Sequence, residues 1–242
     1  IFVIFLCIFG KIFDIPLPYM HYYDIKEKGY FTGTRIDLIQ LLPNNSEQKV
    51  LEIGAGGGDT IAYIKQNNLA KEVMGLELFE IPNSNQTNPL IDKFVLGNIE
   101  QMDVPAQENY FDVIICGDVL EHLIDPWTVV EKLSKHLKVG GVLIASLPNI
   151  REMNTLIKIA LLGDFRYKEE GGVLDKTHLR FFCKKNIIDL LTTSKLKPVY
   201  NCPSFKHNPS QKRRKMMNTL TLGLFQNFLT FQHLVISKKI AD

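Results

Sequence analysis

Apolar residues along this chain fall into short β-leaning runs that alternate with amphipathic stretches. Residues 50–53 form the first run, which breaks into glycines at Gly54, Gly56 and Gly58 before a helical pattern over about 59–67. Further strands are predicted over 72–78, over 92–100 together with its exit, and from Tyr110 toward Gly117. The run ending at Gly117 is continuously apolar, as expected of a strand buried on both faces of a parallel sheet. A helix over 127–137 closed by Lys138-Val139-Gly140-Gly141, and a fifth strand over 142–147, complete an alternation of the doubly wound α/β class. Beyond Pro148 the pattern predicts helices over 150–162 and 185–192, with strands over 198–200 and 231–237. The order of those last two strands cannot be read locally.

Two segments resist this scheme. Residues 1–9 are all apolar, but nine helical residues span only ~14 Å of a ~30 Å hydrocarbon core, and Lys11, Asp14, Pro16 and Pro18 follow. No basic leader or small-residue cleavage site accompanies them, so 1–20 is expected to be an extension, not necessarily native, with Met20 a plausible true start. No stable membrane insertion is expected. Near the other end, Lys212-Arg213-Arg214-Lys215 precedes Met216, Met217, Leu220, Leu222, Leu224 and Phe225. A basic anchor for an anionic acceptor or membrane surface is one reading; the solvated end of a core-packed helix is preferred.

With 242 residues the chain can bury one sizeable α/β core, so 21–242 is expected to form one domain. A net charge of +2 implies no general attraction to nucleic acid. Cys7, Cys116, Cys183 and Cys202 are scattered, with no C-x-x-C pair and no metal-like cluster with histidine, which favours a reduced cytoplasmic setting and no metal.

The chemistry concentrates at strand ends. Glycines at 54, 56 and 58 would let backbone N–H groups approach a ligand. A dinucleotide turn wants G-x-G-x-x-G, but counting from Gly54 puts Asp59 at the third glycine, which disfavours a nicotinamide-dependent oxidoreductase. Glu52-x-Gly54-x-Gly56-x-Gly58, with Glu77 closing the next strand, resembles instead the S-adenosylmethionine (SAM) turn of class I methyltransferases. The segment Asp118-Val119-Leu120-Glu121-His122-Leu123 matches the small-molecule branch, and Asp175 to Phe182 is similar to the insertion of methyltransferases from sugar and surface-polysaccharide pathways.

The resemblance implies a Rossmann-like, mostly parallel seven-stranded sheet with an antiparallel edge strand and a lid insertion over 148–182. It implies SAM as cofactor, held by Glu52, Gly54, Ala55, Gly56, Gly58, Glu77, Leu78, Asn98, Ile99, Gly117, Asp118, Val119 and His122. Asn98 stands where the family usually carries the Asp that contacts the adenine amine, and its amide oxygen could still accept that bond. An N-terminal helix, here preceded by Tyr30-Phe31 and Arg35, caps the pocket in that family with an aromatic or an Arg facing the cofactor. The acceptor is expected to be a small metabolite, a sugar or a sugar-containing intermediate, methylated on O or N. His178 oriented by Asp175 is the candidate base, and Arg180, Asn149 and Tyr23 are candidate acceptor contacts. A homodimer is compatible with this reading. The alternative is a SAM-binding protein without turnover, similar to the methionine-biosynthesis W family.

Overall fold

A computed structural model describes residues 32–205 and 211–242. The apolar stretch 1–20 and the candidate Tyr23 lie outside the described residues. Seven strands form one sheet in the order β3-β2-β1-β4-β5-β7-β6: β1 (Lys49–Ile53), β2 (Glu72–Glu77), β3 (Lys93–Leu96), β4 (Phe111–Gly117), β5 (Leu137–Pro148), β6 (Leu196–Ser204) and β7 (Gln232–Lys239). Strands β1 to β5 pair in parallel, whereas β7 runs antiparallel to both β5 and β6. The antiparallel pairing expected at one edge is present, with the reversed strand one position in from that edge.

Both faces of the central strands are buried because neighbouring residues contribute to opposite layers. Leu51 and Ile53 of β1 and Ile114 and Cys116 of β4 join one cluster, with Val129, Val130 and Leu133 of helix α3 (Pro126–His136) and Ile187 and Leu190 of α5 (Lys184–Leu190). Val50, Val113 and Ile115 join the other, with Leu38 of α1 (Ile36–Ile39) and Ile61 and Ile64 of α2 (Asp59–Gln66). The continuous apolar runs in the sequence are therefore central strands covered on both sides. The strand order reverses between β1 and β4, which opens the ligand crevice of such sheets beyond the carboxyl ends of these two strands.

Helix α3 begins where its sequence signals it: Asp125 accepts from Thr128 N at 3.1 Å and Pro126 occupies the first turn. Its end differs from expectation. Lys138 to Gly141 does not close the helix but lies inside β5, which starts at Leu137 and shifts register between Leu137 and Val142. Gly140, at φ +87°, accommodates the irregularity.

Helix α4 (Met153–Leu162) starts three residues later than its apolar pattern suggests, capped by Glu152, which accepts from Thr155 N at 2.9 Å. The basic segment also departs from expectation. In α6 (Gln211–Leu220) the buried residue is Arg214, paired with the buried Glu152 and donating to Leu229 O of α7 (Gln226–Leu229) at 3.1 Å. Met216 and Leu220 are 57% and 74% exposed, so this helix is docked by a buried ion pair and not by its apolar residues. Among the described residues no helix is long and apolar enough to cross a membrane.

Candidate active site

The glycine turn after β1 takes its shape from backbone that other residues avoid. Gly54, Gly56 and Gly58 have φ of +66°, +52° and +82°. A Cβ at Gly54 would lie 2.3 Å from Val119 Cγ2, so absence of a side chain also lets the exit of β4 close onto the turn. Gly56 N donates to Glu77 Oε2 at 2.7 Å, while Glu77 Oε1 accepts from Leu78 N at 2.7 Å and Phe79 N at 3.4 Å. The turn and the carboxylate nineteen residues past Gly58 are thus one hydrogen-bonded unit. Burial raises the Glu77 pKa, and these three amides oppose the shift.

Glu52, at the end of β1, is 4% exposed, and its Oε2 has no hydrogen-bond partner. Burial pushes its pKa up to about 8, against the attraction of Arg35 and a bond from Thr60. Arg35 precedes α1 and pairs with Asp118 across the crevice, with Asp37 at 3.1 Å, and with Ser146 Oγ at 3.2 Å. Burial works against its charge, yet Asp118 and Asp37 hold its pKa above the usual value. Asp118 sits at φ +57°, an uncommon conformation for a residue other than glycine, and also accepts from Ser146 Oγ at 2.9 Å and from Gln232. Gly117 makes room: a Cβ there would lie 2.8 Å from Leu38 Cδ1 and 3.4 Å from Arg35 Nη1. A cation (Arg35) and an orphaned buried carboxyl oxygen (Glu52) beside the turn suit the carboxylate and ammonium of an amino acid, and Glu77 suits a pair of hydroxyls. That donor set fits SAM.

The other cofactor candidates are more locally engaged. Asn98 Oδ1 accepts from Glu100 N at 2.9 Å, closing the turn after β3, and Ile99 is buried in the core. Ala55 N shares Leu76 O with Gly54 N.

On the far side of the crevice the chain past β4 meets the insertion. Leu179 N and Arg180 N both donate to Glu121 O, at 2.9 and 3.0 Å. His122 Nδ1 meets Thr177 O at 3.0 Å, His178 Nδ1 meets Val173 O at 3.0 Å, and the two rings lie 4.7 Å apart at 76°. Glu121 is 1% exposed with both carboxylate oxygens unpartnered, and its Oε1 is 4.0 Å from His178 Nε2. Burial, and then Asp118, holds Glu121 well above the usual carboxylate range.

One sequence expectation, Asn149 as an acceptor contact, needs revision here. The carbonyl of Val173 meets His178 Nδ1 at 3.0 Å, and Asp175 Oδ1 accepts from Thr177 N and Oγ1 at 2.9 and 2.8 Å. Asn149 is 1% exposed and spends both amide protons on Asn227 O and Thr230 O, at 2.8 and 3.0 Å, so it fastens β5 to α7 and has no donor left for an acceptor molecule. Arg180 is partly buried, donates to Ile124 O, and lies 5.9 Å from the Trp127 ring. Glu121, Ser146 and Gln232 were not singled out in the sequence. Only Glu121 left a trace there, as the acid preceding His122.

Residues 29–200 match the family model described as "Methyltransferase domain". The chain belongs to this methyltransferase family, whose cofactor is S-adenosylmethionine. It is 30% identical over 138 residues to the ubiquinone biosynthesis O-methyltransferase of Histophilus somni (strain 2336), covering 52% of this chain and 56% of that protein. For the protein of the same name from Pseudomonas fluorescens (strain SBW25), identity is 29% and coverage is 48% and 50%. The chain thus spans about half the length of the curated relatives it matches. Among solved structures, an S-adenosylmethionine dependent methyltransferase from Mesorhizobium loti superposes with a TM-score of 0.60 at 14% identity, covering 88% of this chain and 98% of that one. A SAM dependent methyltransferase from Archaeoglobus fulgidus gives 0.57 at 16%, covering 88% and 97%, a likeness of fold.

Proposed function

We propose that this protein transfers the methyl group of SAM to a hydroxyl oxygen of a small molecule. One observation carries the cofactor half: the Gly56 amide and the Glu77 carboxylate join the glycine turn to the end of β2, with the unpartnered Glu52 oxygen and Arg35 alongside. When bound, SAM supplies an electrophilic methyl carbon on a sulfonium. Arg35, held by Asp118 and Asp37, would bind the amino-acid carboxylate of the cofactor; Glu52 would take its ammonium and Glu77 its ribose hydroxyls. Such charge-assisted bonds are worth about 1.5–3 kcal/mol each. The roles of Leu78, Asn98 and Ile99 at the adenosine end follow the family resemblance.

Oxygen is preferred to nitrogen as acceptor because the curated relatives are named as O-methyltransferases. A hydroxyl must lose a proton as it is methylated, and the group of His178 with Glu121 and His122 is where that proton would be withdrawn. The insertion that carries His178 would cover the acceptor and exclude water, so alignment of the two partners supplies much of the rate. Arg180 stands at the rim of this region beside Trp127.

Purified protein with SAM should release S-adenosylhomocysteine only when an acceptor with a free hydroxyl is present. Sugar hydroxyls, the acceptor expected from the insertion, should be run against hydroxyl compounds of ubiquinone biosynthesis, the pathway for which the relatives are named. Saturable SAM binding with no methyl transfer to any compound of a bacterial extract would favour instead a SAM-binding protein without turnover.

A further inference from the structure

Glu121, His122 and His178 form a compact set of potential metal ligands among the described residues. One ligand atom from each lies within 4.8 Å of the others. Two of the three come from the exit of β4 and one from the insertion fifty-six residues later, so the fold, not sequence adjacency, assembles them. We infer that these three side chains hold a first-row divalent transition-metal ion of the zinc class.

Three observations point the same way. Each imidazole is fixed through Nδ1 by a main-chain carbonyl, Thr177 O for His122 and Val173 O for His178. A neutral ring that donates its Nδ1 proton carries its lone pair on Nε2, and a carbonyl behind the ring is how metal-binding histidines are usually oriented. Next, Glu121 is 99% buried by its 1% exposure, yet neither carboxylate oxygen has a hydrogen-bond partner, a costly arrangement that a cation would relieve. Its Oε1 lies 4.0 Å from His178 Nε2.

Finally, two imidazoles and one carboxylate match zinc and its first-row neighbours, whereas magnesium and calcium prefer sets made of oxygen. Ligand atoms on a tetrahedral ion with bonds of ~2.0–2.1 Å are about 3.3 Å apart, so side-chain shifts of roughly an ångström would close the site. Three protein ligands leave a position for an oxygen of water or of an acceptor. The ion would also tie the insertion to the sheet.

This deepens the proposed function by specifying how the acceptor side withdraws a proton, but metal uptake itself does not depend on that reading. The test uses untagged protein freed of metal by chelation, then titrated with Zn2+ against a colorimetric competitor. About one Zn2+ per chain is expected, with a rise in melting temperature. Glu121→Gln and His122→Asn, each checked for folding by circular dichroism, should weaken uptake at least ~100-fold, beyond the tenfold to hundredfold typical of losing an outer contact. X-ray absorption on the zinc-loaded wild type should count two imidazoles, an answer that stands even when the variants fail to fold. No uptake by the wild type, unchanged uptake by folded variants, or a zinc shell without imidazole would overturn the assignment. SAM binding by the chelated protein is measured alongside: zinc uptake without SAM binding sinks the methyltransferase reading and keeps the metal site, while the reverse sinks the metal site alone.

Discussion

The crevice has two sides that are built differently. On the β1–β2 side, turn and carboxylate lie within 26 positions of one another, and backbone amides of the same stretch link them. On the β4 side, Glu121 and His122 meet His178 only because the insertion folds back, with Leu179 and Arg180 amides bound to Glu121 O. The first side is a hydrogen-bonded cradle shaped by strand ends and positive-φ glycines. The second is a junction between two distant segments, and its geometry depends on how the insertion settles. The proposed function divides the same way, with the cofactor assigned to the β1–β2 side and the acceptor to the β4 side.

The largest separation of the two sides should come from Gly56→Val. A β-branched residue at φ +52° is strained by about 1–3 kcal/mol and blocks the approach to the turn, so SAM binding should vanish in calorimetry while circular dichroism stays folded. Retained SAM affinity would mean that the turn is not the cradle. His178→Ala should do the reverse, leaving SAM affinity nearly intact and lowering turnover by roughly 10²–10⁴-fold, the size of an acid–base contribution, whether the ring takes the proton itself or holds an ion that does. Equal turnover on the true acceptor would remove His178 from the chemistry.

A smaller, pH-dependent effect comes from the cradle through Glu52. Glu52 has a folded pKa near 8, raised by burial above its unfolded value of about 4.5. The folded protein therefore binds more protons than the unfolded chain between these values, and stability falls as pH rises through this window. Glu52→Gln should flatten that slope, by on the order of a few kcal/mol across the window, in denaturant melts of cofactor-free protein from pH 5 to 8.5. An unchanged slope would place the titration elsewhere. Asp175→Asn should have the least effect, because it caps Thr177 through bonds that an amide oxygen can also accept; a turnover loss as large as that of His178→Ala would restore Asp175 to the proton path.

The same contrast explains how much of the molecule was legible in the sequence. Strands β1, β2 and β4 announce themselves because strands buried on both faces are mostly apolar, Glu52 apart, and Gly54, Gly56 and Gly58 because glycine suits their positive φ, Gly54 also lying close to Val119. Glu77 was legible from its spacing. The end of α3 was not, since Gly140 serves a strand irregularity as readily as a helix stop. Asn149 looked like an acceptor contact because its amide is polar at a strand end, and nothing local reveals that Asn227 and Thr230 carbonyls fill it. Arg214 was read as part of a solvated basic run, but its partner Glu152 lies sixty-two residues away. Glu121 with both histidines shows the general limit: a site assembled across the fold leaves in sequence only its separate parts.

The claim on which the rest depends is that the cradle of Gly54 to Gly58 and Glu77 binds SAM. Calorimetric titration of SAM into wild-type protein and Glu77→Gln tests it most directly. One site per chain is expected in the wild type, and losing one charge-assisted contact of about 1.5–3 kcal/mol should weaken binding by roughly ten- to a hundredfold in the variant. No SAM binding by the wild type, or equal affinity in the two proteins, would contradict it.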